Sequence, residues 1–515
     1  MMPGTIFQSL SSSRLTGQTH RRMASFLMRA IVSALLLLTA CYAHDARAQS
    51  IDGSISVLSI SPPRVRVEGT RTPGTNTWSF RNVYASVIGI GDRVENLTLA
   101  DAQGASVPVR KLAPGEWRAE GPATRFSYEA KLESPLMGTD AAYVSWLTGE
   151  YGFLMLGDLL PLADSGKAAT ASLRLNLPPG WSTSTTETKG AAARYEVKDV
   201  ERAVFFVGRN LRERHASPGS MDFTFVTTGE WAFTDEDAAN MASSILKEHA
   251  ETFGGAVAAR TMLVLAPYPR PMGAERWSAE TRGRTVMLLS GRAPSKVAAL
   301  SRLSVPLTHE LFHLWIPNSI ALDGDYDWFY EGFTMYQAMR AAARLNLLTF
   351  EDFLNAVGRA FDAYAFSSDK DKLSLIAQSE RRWTGSPALI YNKGMLVAFL
   401  YDLTLRQKNG GKRSLADVYR ALFRRYQAPE ARADGNRAVL AALNEPADMR
   451  EFTRRYVENA GAIDLAAAIE PFGLQVDSRG IRTRIIVADS LKSEQRDLLR
   501  KFGYNAQSRA GHLAR

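Results

Sequence analysis

Thr308-His309-Glu310-Leu311-Phe312-His313-Leu314-Trp315 is the stretch from which the rest of the chain can be read. It spells His-Glu-x-x-His inside an apolar run of helical periodicity. Residues four apart on a helix share a face, so His309 and His313 project together and can hold one metal ion. Glu310 stands beside the first of them as a free carboxylate, the group that takes a proton from a metal-activated water. Imidazole nitrogens plus a carboxylate form the donor set of a catalytic zinc site, which keeps one position for water. So short a motif arises by chance often enough to need a third ligand. Eighteen residues past His313 stands Glu331, in Asp327-Trp328-Phe329-Tyr330-Glu331-Gly332-Phe333-Thr334, an aromatic stretch that opens another helix. His309, His313 and Glu331 are thus the expected ligands of one Zn2+ per chain. Cobalt and manganese also suit such donors, and zinc is preferred on chemistry and availability.

HELFHLW followed by WFYEGFT resembles the gluzincin metallopeptidases, most of all the glycyl aminopeptidase family, with aminopeptidase N as a more distant relative. Ile390-Tyr391-Asn392-Lys393-Gly394 is similar to that family's Tyr-x-Lys-Gly segment, and Met272-Gly273-Ala274-Glu275-Arg276 to its Gly-x-Glu motif. The resemblance covers roughly residues 228–475 and implies that Tyr391 helps stabilise an oxyanion and that Glu275 holds a substrate's free α-amine. Two alternatives stand beside these roles. Tyr391 lies in an apolar helical stretch, where the alternative is a core tyrosine. Met272 replaces a usual Gly and Arg276 a usual His or Asn, and an Arg there can pair with Glu275 at the surface. The activity implied is zinc-dependent hydrolysis of peptide bonds, as an aminopeptidase on short peptides. A zinc endopeptidase and a non-catalytic peptide-binding protein are the other two readings.

The composition, 45% hydrophobic and 22% charged over 515 residues, is that of a globular protein of two or three domains. Of the net charge of +9, residues 1–48 carry +4 (five Arg, one Asp) and residues 477–515 carry +5 (nine Lys and Arg, four Asp and Glu), so the body between is neutral. Nucleic-acid binding wants a basic face on a folded domain, and none is expected here. Arg21, Arg22 and Arg29, the apolar Ala30–Ala43 and the small-residue site Ala46-Arg47-Ala48 form a signal peptide over 1–48, which places the protein in the periplasm or outside the cell. Leu38-Thr39-Ala40-Cys41 supplies a second reading, a lipoprotein anchored through Cys41, the chain's one cysteine.

Short apolar or alternating runs, among them Ile55–Ile60, Phe126–Leu132, Ala171–Leu177 and Ala203–Val207, predict an antiparallel β-sandwich domain over 49–227, with Trp181–Thr188 as a solvated loop. Residues 228–476 predict a thermolysin-like, mainly helical zinc peptidase domain, so the chain is α+β and multidomain. Thr234 with Asp237 caps a helix reaching about Thr252. Thr261–Ala266 and Arg284–Ser290 are strands, the second lining the cleft as an edge strand. The metal helix is expected over Val305–Trp315 with Pro306 in its first turn. Later helices are expected over 332–343, 350–366, 389–405, 415–426 and 449–459, with a polar loop over 367–387. The resemblance implies a PDZ domain next, yet the 39 residues after Val476 are about half what one needs. Their Leu491, Leu498, Leu499 and Phe502 among Lys and Arg predict a basic amphipathic helix that docks on its own chain or touches a membrane surface or partner.

Overall fold

The computed structural model describes residues 49–163, 169–382, 387–477 and 480–504, so the expected signal peptide, with Cys41 and Ala48, lies outside the described residues. Three sheets are stacked, and helices cover the last of them. The outer, nine-stranded sheet is built on Ser50–Ile60, Pro63–Ser79 and Glu116–Lys131, which pair antiparallel. One pairing departs from the antiparallel expectation: Ser50–Ser56 runs parallel to Thr170–Asn176.

The middle sheet holds Trp146–Leu147, Tyr151–Met155, Ser182–Thr185 and Val204–Gly208. Its side chains alternate between two cores. Leu147, Leu154, Phe205 and Val207 pack towards the outer sheet, whereas Trp146, Phe153, Met155, Val204 and Phe206 pack towards the third. A strand buried on both faces reads as an unbroken apolar run, which is what Val204-Phe205-Phe206-Val207 is. The Ser/Thr run expected as a loop supplies an outer strand of this sheet, pairing through Ser182–Thr185 with Phe205–Gly208.

The third sheet has the order Arg212–Ala216, Phe223–Thr227, Thr261–Pro267, Thr285–Ser290, Trp277–Arg282. Its three central strands are parallel and both outer pairs antiparallel. Thr285–Ser290 is therefore internal, and the edge strand is Trp277–Arg282. Gly283, at φ 55, turns the hairpin that joins them.

Phe223, Phe225, Leu263, Leu265, Val286 and Leu288 face the helices and share one core with them. The first helix, Asp235–Phe253, carries the expected Thr234/Asp237 capping box and ends on Gly254 at φ 71. The C-terminal segment joins the same core. A hairpin of Leu474–Asp477 and Arg484–Val487 precedes the helix Ser493–Lys501, and Ile485, Leu498, Leu499 and Phe502 are buried. Arg340 donates to the Phe502 carbonyl at 2.9 Å. Among the described residues no helix is long and apolar enough to cross a membrane.

Candidate metal centre and active site

The metal helix runs over Lys296–Phe312, nine residues earlier than the sequence predicts at its start. Ser295 caps it by accepting from the Ala298 N–H, and Pro306 sits buried inside it instead of in its first turn. A mid-helix proline deprives the carbonyl four residues earlier of its donor, so the sequence rule that places Pro at helix starts misleads here. His313 forms the C-cap, and its φ −64 and ψ −14 keep it on the face of His309.

Glu331 comes from a π-helical turn, Trp328–Phe333, that widens the chain before the helix Thr334–Arg344. Such turns concentrate at functional sites because they re-aim one side chain without ending the helix. The turn lies against the helix Pro387–Lys408, where two glycines meet. A Cβ on Gly332 would stand 2.6 Å from the Gly394 Cα and 2.6 Å from the Ile390 carbonyl oxygen. Glu331-Gly332 and Tyr391-x-Lys393-Gly394 are thus pressed together through their glycines, and this contact brings Glu331 and Tyr391 to one place.

The three expected ligands form a compact triangle. His309 Nε2 and His313 Nε2 are 3.1 Å apart, and Glu331 Oε2 is 3.4 Å from the first and 3.5 Å from the second. A tetrahedral ion with bonds of about 2.0–2.1 Å sets its ligand atoms about 3.3–3.4 Å apart, so the donors fit zinc. His313 Nδ1 lies 2.9 Å from the Ile316 carbonyl, which fixes the proton on that nitrogen and turns the Nε2 lone pair to the centre. All three side chains are buried, and the electrostatics of the site draw in positive charge. Burial alone would lower the His313 pKa, but Glu331 outweighs it and pushes the imidazole up to about 9. Burial likewise raises Glu331, and the two imidazoles overcome it and hold its carboxyl well below the usual range.

Glu310 is buried, and its Oε2 accepts from the Thr281 hydroxyl at 2.8 Å. Thr281 belongs to the edge strand, so the strand and Glu310 are tied together. Tyr391 is half-buried on the Pro387–Lys408 helix. Burial first, then Glu331, keep its phenol protonated well beyond the ordinary tyrosine range, so it is a hydrogen-bond donor at every physiological pH. Its oxygen accepts from Arg382 at 3.3 Å.

Glu275 is placed differently. It stands in the turn before the edge strand, 67% exposed, with its carboxylate 3.6 Å from Arg276 Nε. The strand end that touches Glu310 is Thr281, four residues beyond Trp277, or about 13 Å of strand rise. The same strand brings in a carboxylate the sequence analysis missed. Glu280 accepts from the Tyr84 hydroxyl at 2.5 Å, and the Tyr84 ring lies between Arg282, at 4.0 Å, and Arg81, at 4.8 Å. Burial pushes the Glu280 carboxyl up. Arg282 and Tyr84 pull it back, and Glu310 and Glu331 push it further. A hairpin signal existed in Thr281-Arg282-Gly283-Arg284-Thr285, but the polar Ser278–Arg282 hid the strand.

Residues 86–204 match the peptidase M61 N-terminal domain family. No curated protein matches the sequence. Among solved structures, the fold is similar to an aminopeptidase N family protein from Idiomarina loihiensis, at a TM-score of 0.72 and 16% identity over 84% of this chain and 81% of that one. It is also similar to an M1 zinc metallopeptidase from Deinococcus radiodurans, at 0.54 and 15% identity over 81% of this chain and 95% of that one. A mutant of the latter, bound to a Tyr-Ser-Ala substrate, aligns at 0.53 and 15% identity over the same shares of the two chains. The M61 match falls on the sandwich and the M1 likeness is one of fold. Both agree with the gluzincin resemblance of its motifs.

Proposed function

We propose that the chain is an exported zinc aminopeptidase that removes residues from the amino ends of short peptides. The observation that carries this reading is the buried triangle of His309, His313 and Glu331 with Glu310 and Tyr391 at its rim. A zinc ion held there supplies Lewis acidity, lowering the pKa of water and polarising a carbonyl. Glu310, steadied by Thr281, takes the proton of the attacking water and returns it to the leaving amine. Tyr391 donates its phenolic hydrogen to the developing oxyanion. A peptide adds to the free edge of Trp277–Arg282 as a further strand, which sets its scissile bond beside the base.

The amine anchor is Glu280 in preference to Glu275. Glu280 lies on the strand whose Thr281 touches Glu310, and the charges of Glu310 and Glu331 act on its carboxyl, a place suited to receive an α-ammonium. Glu275 stands in open solvent in the turn before that strand.

The test is to purify residues 49–515, measure zinc per chain, and assay free and N-acetylated peptides alongside Glu310→Gln, Glu280→Ala and Glu275→Ala. One zinc per chain, cleavage of free-amine peptides alone, loss in Glu310→Gln and a KM effect confined to Glu280→Ala are expected. Cleavage of both peptide types moves the enzyme to the endopeptidases, for which the open strand edge is the favouring feature. Zinc-free protein after supplementation leaves a peptide-binding protein. Amino-terminal sequencing and mass of the mature chain from its native host decide between cleavage after Ala48 and lipidation of Cys41.

A further inference from the structure

We infer that Arg382 is a positioning residue that fixes Glu331 as a one-oxygen ligand and orients the Tyr391 phenol; this rests on the zinc reading of the site. The residue comes from the stretch read in sequence as a polar loop, which instead contains the helix Leu375–Glu380 and then Arg382. That stretch is gripped by the Tyr-x-Lys segment from two sides. Lys393, 0% exposed, donates to the Lys370 carbonyl at 3.3 Å, and Tyr391 accepts from Arg382.

Among the described residues, the guanidinium's two terminal nitrogens meet four groups. Nη1 contacts the Asp327 carboxylate and donates to the Tyr330 hydroxyl at 2.8 Å, and that hydroxyl donates in turn to Asp327 at 2.5 Å. Nη2 donates to Glu331 Oε1 at 3.0 Å and reaches the Tyr391 hydroxyl at 3.3 Å. Asp327, itself buried, balances the Arg382 charge, so the guanidinium orients Glu331 without stripping its donor power. The two Glu331 oxygens therefore have separate tasks, Oε1 on Arg382 and Oε2 towards the two imidazoles. Freed from Arg382, the carboxylate can turn to offer both oxygens to the ion and fill the position that water needs. At Tyr391, an N–H arriving on the phenol oxygen leaves the O–H to point at substrate and strengthens it as a donor. Lysine, with a single nitrogen, cannot span the four groups, so the site calls for the planar fork of arginine.

The experiment compares wild type, Arg382→Ala, Arg382→Lys and Tyr330→Phe in three readouts: zinc dissociation constant by chelator competition, visible absorption of the Co2+-substituted protein, and kcat and KM on a free-amine peptide. Arg382→Ala is expected to weaken zinc about 10–100-fold. Its Co2+ bands should lose intensity as a fifth ligand atom joins, and kcat should fall with KM nearly unchanged. Arg382→Lys should recover part of the zinc affinity and little of kcat. Tyr330→Phe, which removes a single hydroxyl, should move all three in the same direction and carries the test if the alanine variant does not fold. Wild-type zinc affinity and Co2+ spectrum in folded Arg382→Ala and Tyr330→Phe would overturn the inference. Failure of the wild type itself to bind zinc sinks the functional reading instead, so the two failures are distinct.

Discussion

Replacing Gly332 by alanine should cost far more activity than stability. The new Cβ would lie 2.6 Å from the Gly394 Cα and 2.6 Å from the Ile390 carbonyl oxygen, both backbone atoms that no rotamer change can remove. Ordinary contact begins at 3.4 Å, so the π-turn and the Pro387–Lys408 helix must part by about 0.8 Å. Overpacking of this kind costs about 1–3 kcal/mol, and the better helical preference of alanine returns about 1. In a domain pair this large the melting temperature moves by only a few degrees. The displaced groups, however, are Glu331 on one side and Tyr391 on the other. A misplacement of about 1 Å at reacting groups costs about 10²-fold in rate. Thermal unfolding and kcat/KM measured together should show that disproportion, with zinc affinity falling as well. Gly394→Ala, whose Cβ meets the Gly332 Cα at 2.7 Å, should behave alike. A Gly332→Ala protein with wild-type kcat/KM and zinc affinity would refute the close-approach reasoning.

Three further outcomes are expected. Thr281→Val removes the 2.8 Å donor to Glu310 and should lower kcat about tenfold while leaving zinc content intact, so unchanged steady-state kinetics would dismiss the contact as idle. Burial pushes His249, whose Nε2 lies 2.9 Å from the Thr308 carbonyl, down to about 4. The unfolded chain protonates this imidazole at about 6.5 and therefore binds more protons between the two values. Its stability contribution is complete above about 6.5 and is lost as pH falls towards 4, by about 3 kcal/mol in all. Urea unfolding of wild type and His249→Gln across that window should differ in slope, and parallel slopes count against it. Dipicolinate should abolish activity and lower the melting temperature, because zinc at a thousand times its dissociation constant contributes about 4 kcal/mol. Zinc should restore both, whereas an unshifted melting curve on chelation means that the triangle holds no structural ion.

His309 and His313 were legible because helix geometry converts a four-residue spacing into a shared face with no knowledge of the rest of the fold, and Glu331 because the pair needs a third ligand and an aromatic stretch carrying a Glu follows eighteen residues on. The capping box at Thr234 was legible for the same reason, its two partners lying three residues apart. Arg382, Thr281 and Glu280 were not, since each acts across a tertiary contact: 51 residues from Arg382 to Glu331 and 29 from Thr281 to Glu310. Pro306 concealed the true start of the metal helix because the proline rule is a preference that buried packing overrode. The π-turn at Glu331 leaves no signature in a pattern read at 3.6 residues per turn.

The four-stranded middle sheet is shared property. Cutting the chain between sandwich and peptidase would strand Phe153, Met155, Val204 and Phe206 on one fragment and Met262, Val264, Met287 and Leu289 on the other. Each such side chain loses about 1.5–3 kcal/mol on return to water, more in sum than a domain of this size has to spare. The two halves therefore depend on each other for a buried face: a chimera that takes its C-terminal half from another protein needs the facing strands of the middle sheet with it.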